Sequence, residues 1–206
     1  MTQFFQIHAE NPQARLANQA AAIIHNGGVI VYPTDSGYAL GCHLGDKTAL
    51  NRIRAIRRLD DKHHMTLVCR DLSELANYAR VDNVAFRLLK NHTPGSFTFI
   101  LKATSEVPRR LKHPKKKTIG LRVPDNKIAL SVLEALGEPM MSTTLILPGS
   151  REIMTDPYDI RIELAGRVDL IIDGGYCGNV VTSMIDLTTG TPEVLREGLG
   201  DISDFV

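Results

Sequence analysis

Four groups of residues in this chain are of types that could act on an anion. The first is Thr34-Asp35-Ser36, followed by Gly37. It follows an apolar β-branched run, Val29-Ile30-Val31, that Pro33 must end because proline has no N–H for a sheet ladder. The second is cationic: Arg52, Arg54, Arg57 and Arg58 share one helical stretch, and Lys62, His63 and His64 follow at once. The third is Arg109 to Lys117, RRLKHPKKK, with six basic residues, no acid and Pro114 inside it. Just beyond it Arg122 sits in the otherwise apolar run Thr118 to Val123. The fourth is hydroxylic: Ser142-Thr143-Thr144 within MMSTTLIL, and Thr182-Ser183 in a later apolar run.

Guanidinium and ammonium groups bind phosphate and carboxylate, and hydroxyls at strand ends orient what is bound there. Each group also has a plainer reading. Thr34, Asp35 and Ser36 can hydrogen-bond their own turn. The arginines can form a solvated helix face, and the basic run, expected as an exposed flexible loop, can be a solvated tip. The hydroxyls can bond neighbouring backbone. Arg122 is the hardest to place in solvent, and its position predicts a polar cavity and an anionic partner.

Other chemistries find little support. His63-His64 lacks the i, i+4 spacing of a helical metal site, and no metal site is expected. Gly174-Gly175-Tyr176-Cys177-Gly178 is not a phosphate-binding Walker loop, because no Gly-Lys-Ser follows. The cysteines Cys42, Cys69 and Cys177 are odd in number and far apart, which argues against a disulfide framework and for reduced thiols in the cytoplasm. No apolar run approaches the roughly 18 residues of a membrane span, and the N-terminus lacks the features of a signal peptide.

The net charge of +1 conceals segregation. Residues 52–122 carry 17 basic and 6 acidic residues, a net of +11, whereas 123–206 carry 5 and 14, a net of −9. A basic middle segment suggests an anionic partner on one face, unless acidic elements fold against it.

The elements that must position these groups alternate between strand and helix. Phe4 to Ile7 reads as a strand, and Asn11-Pro12 as the start of a helix that Gly27 ends. The strand Val29 to Tyr32 and a second from Tyr38 to Leu44 flank the polar turn. Asp46 caps a helix whose apolar face is Leu50, Ile53 and Ile56. A strand Met65 to Cys69 follows, then helices opened by Asp71 and Asp82. Phe97 to Leu101, Thr118 to Val123, Met140 to Leu147, Asp169 to Asp173, Val180 to Leu187 and Pro192 to Arg196 read as strands. Helices fall at Asp125 to Leu136 and from Asp156-Pro157 to Leu164. Several strands follow one another with no helix between them, so the fold class is α/β with a mixed sheet. With 43% hydrophobic residues and no linker-like stretch, residues 1–206 are expected to form a single domain.

The stretch Tyr32 to Cys42, YPTDSGYALGC, resembles the opening pattern of the YrdC-like family, roughly YPT[DE][ST]xYGLG, with Ala39 where glycine is usual. Further blocks match in order: PGSFTFILK, GLRVPDN, MMSTT, VDLIIDGG, TSMIDLTTG and PEVLREG. The resemblance implies a twisted mixed sheet with helices around it and a concave, positively charged surface. Catalytic members are threonylcarbamoyl-AMP synthases, which join threonine, bicarbonate and ATP and release pyrophosphate. It implies that Thr34 and Arg122 contact threonine, and that Arg58, Lys62, Ser142, Thr144, Ser183 and Arg196 line the cavity.

The same family pairs K-x-R at the end of the basic helix with S-x-N on a later strand. Those positions are Ile56-Arg57-Arg58 and Thr144-Leu145-Ile146 here. Arg58 and Thr144 are kept as catalytic candidates, while Ile56 and Ile146 supply neither charge nor amide. Arg57 stands about 100° round the helix from residue 56. Losing one preorganised donor costs roughly 10²–10³ in rate. The sequence therefore favours an RNA-binding protein, with structured RNA (tRNA or double-stranded ribosomal RNA) held by Arg54, Arg57, Arg109, Arg110, Lys112, Lys115, Lys116 and Lys117. No DNA or membrane partner is expected. A weak synthase is the alternative, with ATP and Mg entering only in that case and no tightly bound cofactor. AMP and L-threonine are then further possible ligands.

Overall fold

The computed structural model describes residues 1–60, 63 and 65–206. Its elements in chain order are β1 (Gln3–Gln6), α1 (Ala14–His25), β2 (Ile30–Pro33), β3 (Tyr38–His43), α2 (Lys47–Arg57) and β4 (Thr66–Val68). Then come α3 (Leu72–Tyr78), β5 (Ala79–Arg80), α4 (Asn83–His92), β6 (Phe97–Ala103), β7 (Thr118–Arg122) and α5 (Lys127–Leu136). The last third holds β8 (Met140–Thr144), α6 (Pro157–Leu164), β9 (Leu170–Asp173), β10 (Ser183–Asp186) and β11 (Glu193–Arg196).

All strands join one sheet in the order β1-β9-β2-β3-β8-β4-β7-β6-β10-β11, with β5 on β6. Tight turns make the neighbours β2 and β3, and β10 and β11, antiparallel, while crossovers make β1–β9, β2–β9, β4–β7 and β6–β10 parallel. The expected mixed α/β sheet is what forms. Strand period two divides its core. Ile30 and Tyr32 join the residues under α1 and α5, such as Ile24, Val132 and Leu133, while Val29 and Val31 join Ile53, Leu67, Phe99 and Leu121 on the other side.

Helix starts follow cap chemistry. Asp46, Asp71, Asp82 and Asp156 each accept a backbone N–H from the first turn of α2, α3, α4 and α6. Two starts differ from expectation. Asn11 does not cap α1; its N–H donates to His8 Nδ1 in the preceding turn, and the helix opens after Gln13 with no side-chain cap. Asn126, not Asp125, caps α5, because Asp125 turns its N–H toward Asp35 Oδ1. The strands β8 and β10 stop short of the expected ends at Leu147 and Leu187.

One register row crosses the sheet from Gly41 through Ser142, Thr66 and Gly120 to Ile100. A Cβ at Gly41 would stand 2.5 Å from Met140 Sδ and 3.0 Å from the Tyr32 ring. The bare backbone there lets Tyr32 lie across β3 toward Ser142. Among the described residues no helix is long and apolar enough to cross a membrane.

Candidate active site: a guanidinium-lined cavity on the sheet

Strand ends from distant parts of the chain enclose a cavity of about 160 Å³. Its lining includes Thr34, Ser36, Arg57, Arg122, Thr182 and Arg196. Tyr32, Ala39 and Val68 belong both to this lining and to the core under α1 and α5, so the cavity opens where that helical cover ends.

Arg122 is the last residue of β7 and only 7% exposed. One Nη donates to Asp35 Oδ1 at 2.5 Å and the other to Ser36 Oγ at 3.2 Å. Its Nε has no partner among the described residues. Asp35 is engaged further, since Ser96 Oγ donates to Oδ2 and the Asp125 N–H to Oδ1. The expectation that Arg122 enters a polar cavity and meets an anion holds within the protein, where the anion is Asp35. A paired, hydrogen-bonded charge tolerates burial; an unpaired one does not.

Thr34 follows the plainer reading and still faces the cavity. Its Oγ1 donates to the Gly37 carbonyl at 2.6 Å and accepts from the N–H groups of Ser36 and Gly37. Gly37 adopts φ of 149°, which favours a residue without Cβ, and a Cβ there would approach Ile153 Cγ2 to 2.7 Å. The opposite wall is hydroxylic. Tyr32 Oη lies 2.6 Å from Ser142 Oγ, which donates to the Leu40 carbonyl. Burial pushes the Tyr32 phenol up to about 12, so it is neutral and a donor at physiological pH.

Three expected site residues need correction or qualification. Arg58 leaves the helix: it caps α2 with φ of 53° and is exposed, outside the cavity lining. Arg57, expected on an RNA-binding surface, enters instead. As the last helical residue it extends over the end of β8, donating from Nε to the Ile146 carbonyl (3.1 Å) and from one Nη to Thr143 Oγ1 (2.5 Å). Ser183 also turns away. It is fully buried, donates to the Gly200 carbonyl at 2.6 Å and accepts the Gly198 N–H, so it pins the C-terminal loop. Strand alternation gives the cavity Thr182 and Met184 in its place. Lys62 lies outside the described residues.

Ser142, Thr144 and Arg196 are in the lining, as expected. Arg196 donates from Nε to the Thr182 carbonyl and from Nη to Thr182 Oγ1, itself 2.9 Å from Thr98 Oγ1. Burial lowers the pKa of both Arg57 and Arg196 from the ordinary arginine value. The sequence singled out neither Asp35 as the anchor of Arg122 nor Thr98. Asp35 had a signal, a carboxylate between two hydroxyl residues at a strand end; Thr98 had none beyond strand alternation.

A second, wider pocket of about 1060 Å³ lies along the basic run, and His63 lines both pockets. Arg54, Arg109, Arg110, Lys112, Lys115 and Lys117 line it, whereas Lys116 is exposed outside the lining. The run is less free than expected. A short 3-10 turn at Arg109–Leu111 buries Leu111 in the core, and Lys112 and Arg110 donate to the carbonyls of Thr104 and Gly45.

Among the described residues one group, His25, His43 and Glu138, could hold a metal ion. However, His43 Nδ1 accepts the Gly45 N–H, so its proton is on Nε2, which meets Glu138 Oε1 at 2.7 Å. That is a hydrogen-bonded pair, whose metal form would require the ring to break its bond with Gly45.

Comparison with known proteins agrees with this fold. YciO of Escherichia coli K12 is 63% identical over 206 residues, all of both chains, and its crystal structure superposes with a TM-score of 0.96. The threonylcarbamoyl-AMP synthase of Pyrococcus abyssi is 28% identical over 181 residues, which are 87% of this chain and 53% of the synthase. The crystal structure of P. abyssi Sua5 complexed with L-threonine gives a TM-score of 0.87 at 26% identity over 96% of this chain and 58% of that one. Residues 22–198 match the Sua5/YciO/YrdC family, described as "Telomere recombination". With this cavity, this sheet and these relatives, the chain belongs to the Sua5/YciO/YrdC family.

Proposed function

We propose that the cavity binds an amino acid of L-threonine size beside a nucleotide, and that the protein catalyses slow formation of threonylcarbamoyl-AMP. The observation that carries this reading is the Arg122 guanidinium, 7% exposed, held by Asp35 and Ser36 at a cavity of about 160 Å³ and with Nε unpartnered among the described residues. A fixed donor of this kind suits a small carboxylate, and hydroxyls on the facing strand suit its polar groups. The likeness to the L-threonine complex of Sua5 supports the same ligand class.

In the reaction, the threonine amine and bicarbonate give an N-carboxylate and water. A carbamate oxygen then attacks the α-phosphorus of ATP, and the bond to pyrophosphate breaks. Little covalent chemistry falls to the protein, so positioning and cationic stabilisation dominate. Among the described residues no carboxylate lines the cavity, and Asp35 behind Arg122 is engaged by Arg122, Ser96 and Asp125. Magnesium therefore enters as the Mg–ATP substrate. Incubation with ATP, labelled bicarbonate and L-threonine should release threonylcarbamoyl-AMP and pyrophosphate. Absence of product above a blank, beside an active relative, defeats the reading.

A second reading is favoured by the wider pocket. Its arginines and lysines suit the phosphates of structured RNA, recognised by shape and backbone rather than by base stacking. Filter binding of tRNA and of double-stranded RNA over a salt series tests it. Affinity should fall steeply with salt, and an affinity indifferent to salt would remove this reading.

A further inference from the structure

We propose that His25, His43 and Glu138 bind one divalent transition-metal ion of the zinc class, at the end of the β3–β8 ladder opposite the cavity. No step of the proposed reaction uses these residues, so the site is a separate one.

Three elements deliver the three side chains. His25 is the last residue of α1 and His43 the last of β3, and Glu138 follows Gly137, the left-handed cap of α5. His43 pairs with Met140, the first residue of β8, which brings Glu138 beside it. The cavity takes its walls from the other ends of the same two strands, at Tyr38 and Ala39 of β3 and Thr143 and Thr144 of β8.

Among the described residues this is the group in which three histidine, cysteine or acidic side chains converge, with ligand atoms within 4.8 Å of one another. His43 Nε2 stands 2.7 Å and His25 Nδ1 3.7 Å from the same oxygen, Glu138 Oε1. The two imidazole centroids are 5.8 Å apart. Two imidazoles and a carboxylate are a donor set that suits Zn²⁺. A tetrahedral shell with bonds of about 2.0–2.2 Å sets its ligand atoms roughly 3.3 Å apart. Relative to Glu138, His43 must therefore open slightly and His25 close slightly. The side chains are 48%, 29% and 31% exposed for His25, His43 and Glu138, so they have room to adjust, and water can fill the fourth position.

A hydrogen-bonded pair explains His43 and Glu138 but not His25. A basic residue at the end of α1 suits the helix dipole. That preference does not dictate where its ring points, and here Nδ1 faces the oxygen that His43 already holds. One carboxylate cannot balance two imidazolium charges, whereas one divalent ion gives all three donors a partner. Coordination has a definite cost. The proton on His43 Nε2 must pass through solvent to Nδ1, and the Gly45 N–H loses its acceptor. That bond is solvent-exposed, so water takes over from the ring at little loss.

Calorimetry of the untagged full chain with Zn²⁺, and thermal melts with and without Zn²⁺, test this on the parent and on His25→Gln, His43→Gln and Glu138→Gln. His8→Gln is the control outside the cluster. The parent should bind one ion, and each cluster variant should weaken it roughly tenfold or more while the control stays within about twofold. Zn²⁺ should raise the Tm of the parent and leave that of the cluster variants unmoved, because an ion bound only by the folded chain stabilises it. Co²⁺ in place of Zn²⁺ should give the parent the visible absorption of a four-coordinate ion. Affinity that survives all three substitutions is an adventitious ion only and overturns the proposal, as does a parent that neither binds Zn²⁺ nor melts higher with it. Unchanged affinity in His25→Gln alone also overturns it, since the group is then no more than the His43–Glu138 pair. Circular dichroism checks that each variant folds; one that does not is replaced by alanine at the same position under the same criteria.

Discussion

The cavity and the basic run carry charge of the same sign in opposite physical settings. In the cavity, Arg122, Arg57 and Arg196 are held by hydrogen bonds to named acceptors; Arg122 is buried and Arg57 half-buried, while Arg196 stays exposed at the rim. Along Arg109–Lys117, the charged ends of Arg110, Lys112 and Lys117 hold backbone carbonyls, whereas Arg109, Lys115 and Lys116 are exposed and only their backbone is fixed, through Leu111 and the bonds between His113, Lys117 and Thr118. Buried cations interact at low local dielectric and select by geometry; exposed ones are screened within about 8–10 Å and select by charge density. Arg57, Arg122 and the run Arg109–Lys117 come from one basic segment of sequence, which thus places its cations in two kinds of setting, and variants should separate them.

The largest effect is expected at the buried pair. Arg122→Met strands the Asp35 carboxylate, and breaking such a pair costs about 3–5 kcal/mol of stability. Urea denaturation would read this. The double variant Arg122→Met/Asp35→Leu should recover much of the loss, whereas two additive losses would contradict a coupled pair.

Next comes the turn that presents Thr34. Thr34→Val removes one donated bond and two accepted ones, so a loss of roughly 1–3 kcal/mol in the same denaturation assay is expected. Threonine binding should weaken with it if the turn shapes the cavity wall.

The basic run should behave differently. Arg109→Gln with Lys115→Gln should leave stability within about 0.5 kcal/mol, as exposed substitutions do. The slope of log affinity for RNA against log salt should fall by about one for each phosphate that is no longer neutralised. A large change in stability with no change of slope would erase the contrast between the two regions.

The smallest effect concerns Cys177, which contacts Thr34 and Tyr38 and whose thiol burial pushes up from 9.0 to about 11. The folded chain holds that proton more tightly than the unfolded one. The contribution to stability is therefore complete below about pH 9 and is lost as pH rises toward 11. Iodoacetamide should modify native Cys177 slowly at about pH 8 and roughly tenfold faster per pH unit above it, until the thiolate saturates. Fast modification at that pH would show a more open site than the structure describes.

Much of this architecture can be read along the chain, because it depends on neighbours. Aspartates just ahead of a first helical turn mark the starts of α2, α3 and α4, and apolar alternation marks β2, β6 and β7. Tyr32 to Cys42 and the blocks that follow identify the family before any coordinate is known. The misreadings fall at element ends. Asn11 has the chemistry of a cap but is drawn into the His8 turn, and Arg58 keeps the family's residue type but not its direction.

By itself, the sequence determined which residues are cationic, which are hydroxylic and which segments become strands or helices, since those properties are carried by side-chain type and local spacing. Only the tertiary structure decided which member of each adjacent pair serves the cavity: Arg57 over Arg58, and Thr182 over Ser183. The physical reason is phase. A strand offers alternate residues to its two faces, and a helix end offers whichever side chain its last turn releases. Which face becomes a cavity depends on strands that are distant in the chain, here β2, β7, β8 and β11, meeting in one sheet.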